Sequence, residues 1–385
     1  MRATKAYINL DNLRENIACV KSFIKEDVKM CIAVKADGYG HGAARTAIAA
    51  IQAGASVLAV ASVQEGIELR EAGIVAPILT LSLPLKEEIP SIIVHSITPL
   101  VFDEEFIEQV NEVAESMHRR VPVYLKIDTG MGRVGCRPEK AGELAEKIST
   151  SNGLYLEGCI THFAVSDSVA PENMEYTAFQ VANFNKAIAQ IKEKGIDPGI
   201  CSASSSGGIF LHPEAHFDMV RPGIVVYGYY PDPALKEVLA LKRGESVVLK
   251  PVMEVVTHVV AIKHFYKGES ISYGRTWVAE EDCDVAVLPI GYADGLVRKL
   301  SPGLTVTIDG KQYPVVGRIC MDQCMVCLGS KHNVKRWDKV TVFGYEEGCK
   351  TADDLAAAAG TISYEILCGI NKRVPRVFID NEKNY

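Results

Sequence analysis

Between residues 30 and 230 short apolar runs alternate with segments of helical periodicity. The runs are MCIAVKA, SVLAVAS, PILTLS, SITPLVF, VPVYLKI, LYLEGCITHFA, PGICSAS and MVRPGIVVYGY. Each is rich in Val, Ile and Leu, and most lead through polar or glycine-rich residues into a helix-like stretch. Strands that are apolar on both faces and separated by helices are the pattern of βαβ units and a parallel sheet. About eight units in roughly 200–250 residues favour a closed (β/α)8 barrel over an open doubly wound sheet.

After residue 240 the texture changes. VVLKPVMEVVTHVVAIKHF, DVAVLPIGYA, LTVTIDGKQYPVVGRICM and DKVTVFGY read as strands separated by Gly, Asp and Pro turns. Asp309-Gly310 predicts a tight hairpin, because that dipeptide tolerates positive φ, and a single helix is predicted over Thr351–Ala359. The fold class is therefore α/β. A TIM-like (β/α)8 barrel is expected over residues 10–240 and a mainly-β domain over 241–385. The boundary falls near LKRGESV, and residues 1–9 pair into the β domain as a return strand. A length of 385 residues agrees with two domains, since single cores stop growing near roughly 250–300 residues.

Composition narrows the function classes. With 48% hydrophobic and 23% charged residues the chain is a folded globule. A net charge of -7 with scattered basic residues offers no stripe to neutralise phosphates, so no nucleic-acid partner is expected. The start, MRATKAYINLDNLREN, meets Asp11 and Arg14 before an apolar segment forms, and no apolar run reaches spanning length. A cytoplasmic protein without membrane contact is expected. Eleven cysteines, an odd number, read as reduced thiols. Cys320, Cys324 and Cys327 lack a partner pair at ligand spacing, so they read as strand packing, and no metal is expected.

In a parallel barrel, chemistry gathers where strands end. Lys35, Arg133, His162, Ser204, Ser205, Arg221 and Gly223 lie at or just past the ends of predicted strands. Lys35 closes an apolar strand before a glycine-rich turn. Desolvation there lowers an amine's pKa and yields the free base that a Schiff base with an aldehyde cofactor requires. An isolated strand-end lysine more often lays its stem on apolar surface with its head in water.

With VKADGYGHG at residues 34–42 the sequence resembles the alanine racemase family. The resemblance continues in order through LKIDTGMGRVG (125–135), THF (161–163), RPGIVVYG (221–228), SYGRTW (272–277), GYADG (291–295), GRICMDQ (317–323) and YEILCGINKRVPR (364–376). It implies pyridoxal 5'-phosphate (PLP) as cofactor, alanine as substrate, and a homodimer whose active sites are shared between subunits. Lys35 would bind the cofactor aldehyde and serve as one of two catalytic bases acting on the PLP external aldimine. Tyr273, arriving from the partner subunit, would be the other, since racemisation needs proton exchange on both faces of a planar carbanion. A phenol is a weak base unless cationic neighbours stabilise its anion, and His162 and Arg221 are implied for that relay. Arg221 beside the pyridine nitrogen would donate to it and leave it unprotonated, weakening the electron sink.

Tyr39, Ser204, Ser205, Gly223, Ile224 and Tyr364 resemble the family's cofactor-binding set. The segment departs from the family, where an asparagine commonly precedes the phosphate-binding serine and a histidine opens the segment; here Ser204 and Cys201 stand there. Arg133 is implied for the substrate carboxylate, Lys126 as a carbamate that orients it, the Met321 amide (beside Asp322) for the carboxylate, and Tyr292 for substrate entry. A serine or broad-specificity racemase is the alternative, and Tyr364 and Cys320 bear on it. A bulky tyrosine leaves room for a methyl group, yet one hydroxyl is discriminated only about 10²-fold in such a pocket. A barrel-type decarboxylase is opposed by Arg221, and a noncatalytic PLP-binding barrel by the long segment carrying SYG and CMDQ. D-alanine for peptidoglycan precursors and D-alanine for catabolism both remain open.

Overall fold

The computed structural model describes residues 2–243 and 247–381. Residues 244–246, inside the segment where the domain boundary is expected, lie outside the described residues, as do 382–385. The chain opens with β1 (Lys5–Asn9) and a helix over Leu10–Lys21. Asn9 caps that helix, its side chain accepting from the amides of Asp11 and Asn12 at 3.0 Å each, which satisfies donors that have no partner inside the helix.

The barrel strands follow: β2 (Lys29–Ala33), β3 (Val57–Val60), β4 (Ile78–Thr80), β5 (Ile97–Thr98), β6 (Leu100–Val101), β7 (Val121–Lys126), β8 (Leu154–Ile160), β9 (Ile200–Ser202) and β10 (Met219–Val220). They pair in parallel as β10-β2-β3-β4-β5 and β6-β7-β8-β9. Only Pro99 separates β5 from β6, and a parallel bridge between Ser205 and Arg221 joins the ends of β9 and β10. Both seams therefore close. Counting β5 and β6 as one, eight strand positions ring the barrel, one from each apolar run. β3 and β4 are buried along their whole length, which is why these runs lack the polar alternation of a half-exposed strand.

A nine-stranded sheet is built mostly from the second part of the chain. Its order is Ala261–Phe265, Cys283–Leu288, Cys324–Gly329, Lys311–Val316, Thr305–Ile308, Lys339–Phe343, Met253–His258, β1, Arg376–Ile379. β1 pairs antiparallel with Met253–His258 and parallel with Arg376–Ile379. The Asp309-Gly310 turn links Thr305–Ile308 to Lys311–Val316 with φ of 48° and 72°, the conformation of a two-residue hairpin. Cys324 and Cys327 lie in one strand, and Cys320 precedes it.

Thr351 caps the helix Ala352–Ala359 through a reciprocal pairing with Asp354. The expectation of a single helix here is corrected, because Ser363–Gly369 is also helical. Its two turns are too short for periodicity to reveal. This second helix packs on the turn after β2, where a Cβ on Gly40 would lie 2.3 Å from the Leu367 carbonyl oxygen. No helix among the described residues is long and apolar enough to cross a membrane.

Candidate active site

Lys35 follows β2 by one residue, and the backbone then turns left-handed. Ala36 (φ 51°, ψ 50°), Asp37 (53°, 47°) and Gly38 (62°, 45°) make a left-handed helical turn, and Tyr39 continues it at φ 53°. Each non-glycine residue held so costs about 1–2 kcal/mol, so the turn persists through its neighbours. Glu65 Oε1 accepts from the Ala36 amide at 2.7 Å, and Asp37 Oδ1 accepts from the Ala43 amide at 2.9 Å. His41 Nδ1 donates to the Tyr39 carbonyl at 2.9 Å, and Arg376 Nε donates to the Gly40 carbonyl at 2.9 Å.

This turn delivers Lys35 to a cavity of about 560 Å³ at the C-terminal ends of the barrel strands. Lys126 is the last residue of β7, Arg133 lies in the loop beyond it, His162 follows β8, Ser205 follows β9, and Arg221 follows β10. All line the cavity with Tyr39, Gly223, Ile224 and, from the helix Ser363–Gly369, Tyr364.

Four basic side chains, Lys35, Lys126, Arg133 and Arg221, line the cavity with, among the described residues, a single carboxylate, Asp167. Such a site attracts an anion. Burial, and then the Arg133 guanidinium, lowers the Lys35 amine below the ordinary lysine range. Lys126 is pushed well below it by burial, Arg221 and Arg133. Burial draws Arg221 down to about 10, which leaves it cationic at neutral pH. Its Nη1 donates to Ser202 Oγ (2.6 Å) and its Nη2 to the carbonyls of Thr161 (2.6 Å) and Ala203 (3.0 Å) and to His162 Nδ1 (3.3 Å). His162 is held well below its usual value by burial and by Arg221. It is thus a neutral acceptor, and of the two residues expected to supply positive charge only Arg221 carries it.

Hydroxyl groups also line the cavity. The Tyr39 ring stacks on Tyr227 at 4.8 Å and lies 5.9 Å from Tyr364. A Cβ on Gly223 would meet the Tyr39 hydroxyl at 2.7 Å, so only glycine lets the backbone come this close. Ser205 stands at the start of the helix Ser206–Leu211 without using its side chain as a cap. Ser204 is the exception and corrects the expectation: it does not line the cavity, is fully buried, and donates its hydroxyl to the Ala215 carbonyl at 2.8 Å. The Ala215 carbonyl draws the Ser204 hydroxyl away from the cavity that Ser205 lines.

Sequence reasoning missed three contributors. Ser206 lines the cavity and its Oγ accepts from the Gly223 amide at 3.0 Å. Ser202 holds Arg221, and Glu65 holds the lysine turn. Ser206 was within reach of inspection, as the third serine of the run before two glycines; Ser202 carries no local signal, and Glu65 carries only the Ser62-x-x-Glu65 signature of a helix start, which does not point to Lys35.

Tyr273, Tyr292 and Met321 do not join this cavity within the chain. They sit on neighbouring loops of the nine-stranded sheet region. Ser272 Oγ donates to the Arg318 carbonyl at 2.7 Å, and the Tyr292 and Ala293 amides donate to the carbonyls of Cys320 and Met321 at 3.0 Å. Tyr273 is 69% exposed, Met321 53% and Tyr292 43%. Three large side chains displayed together in this way are unusual for a surface without a partner.

Comparison with known proteins agrees over the whole length. The profile of the alanine racemase N-terminal domain matches residues 8–231, and that of the alanine racemase C-terminal domain matches residues 252–378. An alanine racemase of Treponema denticola is 55% identical over 384 residues, covering 99% of both chains. One from Treponema pallidum is 45% identical, covering 98% of this chain and all of its own. The solved alanine racemase of Clostridium difficile superposes with a TM-score of 0.92 at 38% identity, covering 100% of this chain and 97% of its own.

Proposed function

Because the chain belongs to the alanine racemase family and shares its activity, the interconversion of L- and D-alanine, we propose that this reaction takes place in the cavity around Lys35 and that PLP is its cofactor. The single observation that carries the reading is the depressed Lys35 amine, delivered by a strained turn to a cavity lined by hydroxyls and by two guanidinium groups. The donor set fits the cofactor. Ser205, Ser206, Tyr39, Tyr364 and the backbone at Gly223 and Ile224 form a neutral, donor-rich cradle suited to a phosphate, and a side chain at 223 would fill it. When bound, PLP supplies an aldehyde for the lysine amine and an electron sink that loosens the Cα–H bond of alanine.

The chain's residues do the rest. Lys35 moves the proton on one face of the substrate carbon, and Tyr273 moves it on the other. Arg221 Nε makes no hydrogen bond to the protein among the described residues, so it would be free to donate to a ring nitrogen of the cofactor, and a guanidinium there would keep that nitrogen unprotonated. His162 accepts from Arg221 and passes its polarisation toward Tyr273. Arg133 holds the substrate carboxylate with the Met321 amide, and Tyr292 guards the entry. Lys126, its amine pushed down by burial and by two guanidiniums, is set up to add carbon dioxide as a carbamate with loss of a proton to solvent, and the carbamate's negative charge would orient Arg133.

Tyr273, Tyr292 and Met321 reach a cavity only if a second copy brings them, and their exposure supports a homodimer with shared sites. We place the division between barrel and β domain near residue 240, in the interval between the two family matches. Eleven free thiols agree with the cytoplasm, where D-alanine would serve peptidoglycan precursors. The serine or broad-specificity alternative finds no support among the relatives named above.

The deciding experiment is borohydride reduction of the protein with PLP, followed by peptide mass spectrometry. The label is expected on Lys35 alone, and Lys35→Ala should lose both the visible absorbance of bound cofactor and racemisation. A label on another lysine overturns the reading.

A further inference from the structure

Glu65 lies in the first turn of the helix Val63–Glu71, and its two carboxylate oxygens serve two different turns. Oε1 accepts from the amide of Ala36, the residue next to Lys35, at 2.7 Å. Oε2 accepts from the amides of Ala61 and Ser62 at 2.7 and 3.3 Å, where the chain leaves β3. Ser62 Oγ in return accepts from the Glu65 amide at 3.2 Å, which fixes the helix start. One side chain therefore ties together the ends of the neighbouring strands β2 and β3. Of the four side chains that hold the left-handed turn, it alone grips the residue adjoining the lysine.

We propose that Glu65 is the positioning residue of Lys35: its carboxylate holds Ala36 left-handed, so aiming the amine into the cavity, and offsets the cationic field there. The proposal rests on Lys35 being the cofactor-binding lysine. Burial, Arg133 and Arg221 lower the amine, and Glu65 is a carboxylate that acts in the opposite direction. Both tasks suit a carboxylate and not an amide, because four acceptor sites and no donor face three backbone N–H groups. Glutamine would turn an NH2 toward one of the two turns.

The test compares the full-length wild type with Glu65→Gln, Glu65→Asp and Lys35→Ala. The first readout needs no cofactor: the titration of Lys35 in the cofactor-free protein, followed by isotope-labelled reductive methylation and NMR. Others are the rate of cofactor capture, the split between kcat and KM for alanine, and the urea midpoint. Glu65→Gln is expected to move the Lys35 titration to lower pH. Capture and kcat should each fall about 10- to 100-fold, the effect of losing a charge-assisted hydrogen bond, with KM within about threefold. Glu65→Asp keeps the charge but not the reach, so it should restore the titration and leave capture slow. An unchanged titration and capture in Glu65→Gln, or a loss confined to the urea midpoint, overturns the proposal. If Lys35→Ala still binds PLP covalently, the failure lies instead in the reading of the lysine.

Discussion

Replacing Ser204 and Ser205 one at a time should give opposite phenotypes, although the two are adjacent in sequence. Ser204 is fully buried, and its hydroxyl satisfies the Ala215 carbonyl at 2.8 Å. Ser204→Ala leaves that carbonyl without its donor, at a cost of about 1–3 kcal/mol. No atom facing the cavity is lost, so cofactor affinity should change by less than about 0.5 kcal/mol, roughly twofold. Ser205 lines the cavity and does not cap its helix. Ser205→Ala should leave the stability of the cofactor-free protein within about 0.5 kcal/mol. It removes a donor to a phosphate, a charged acceptor worth about 1.5–3 kcal/mol, and so weakens PLP binding about 10- to 150-fold. Urea unfolding of the cofactor-free proteins measures the first effect, and fluorescence titration with PLP the second. A Ser204→Ala protein of normal stability that binds PLP poorly, beside a Ser205→Ala protein that binds it normally, would refute the assignment of which serine faces inward.

Burial holds His41 down at about 4, and its Nε2 is buried without a hydrogen-bond partner among the described residues. Its folded value lies below the ordinary 6.5, so its contribution is intact above that pH and is lost as pH falls toward 4. Between pH 7 and 5 it withdraws about 2 kcal/mol. Urea unfolding at both pH values should show a loss smaller by that amount in His41→Gln, and equal losses would exclude the effect. Tyr273→Phe should slow solvent-deuterium incorporation into one enantiomer of alanine far more than into the other; symmetric slowing contradicts two bases on opposite faces. Mixing inactive Lys35→Ala with inactive Tyr273→Phe should recover part of the activity, because one site of each mixed dimer keeps both groups, and no recovery would argue against shared sites. Intact-mass measurement in bicarbonate should find one added carbon dioxide that acid removes and that Lys126→Ala lacks; an adduct persisting in Lys126→Ala would place it elsewhere.

The eight barrel strands were legible because burial on both faces writes itself into consecutive apolar residues, and the Asp309-Gly310 hairpin because its backbone needs are local. Lys35, Arg133, His162 and Arg221 were legible for a similar reason, each lying at the end of such a run or in the loop just past it, and all four line the cavity. Other features had no local trace. Ala36 has no preference for left-handed backbone and Asp37 only a slight one; Glu65, on a separate helix, helps to hold the turn there. Three serines in a row do not say which faces inward until closure of the barrel turns Ser204 toward Ala215 and Ser206 toward Gly223. The neutrality of His162 depends on the desolvation and guanidinium charge that meet around it. Strand identity and the residue types at strand ends follow from short-range pattern, whereas orientation, protonation and the separation of Tyr273, Tyr292 and Met321 from the lysine cavity follow from long-range contacts that no window of sequence contains.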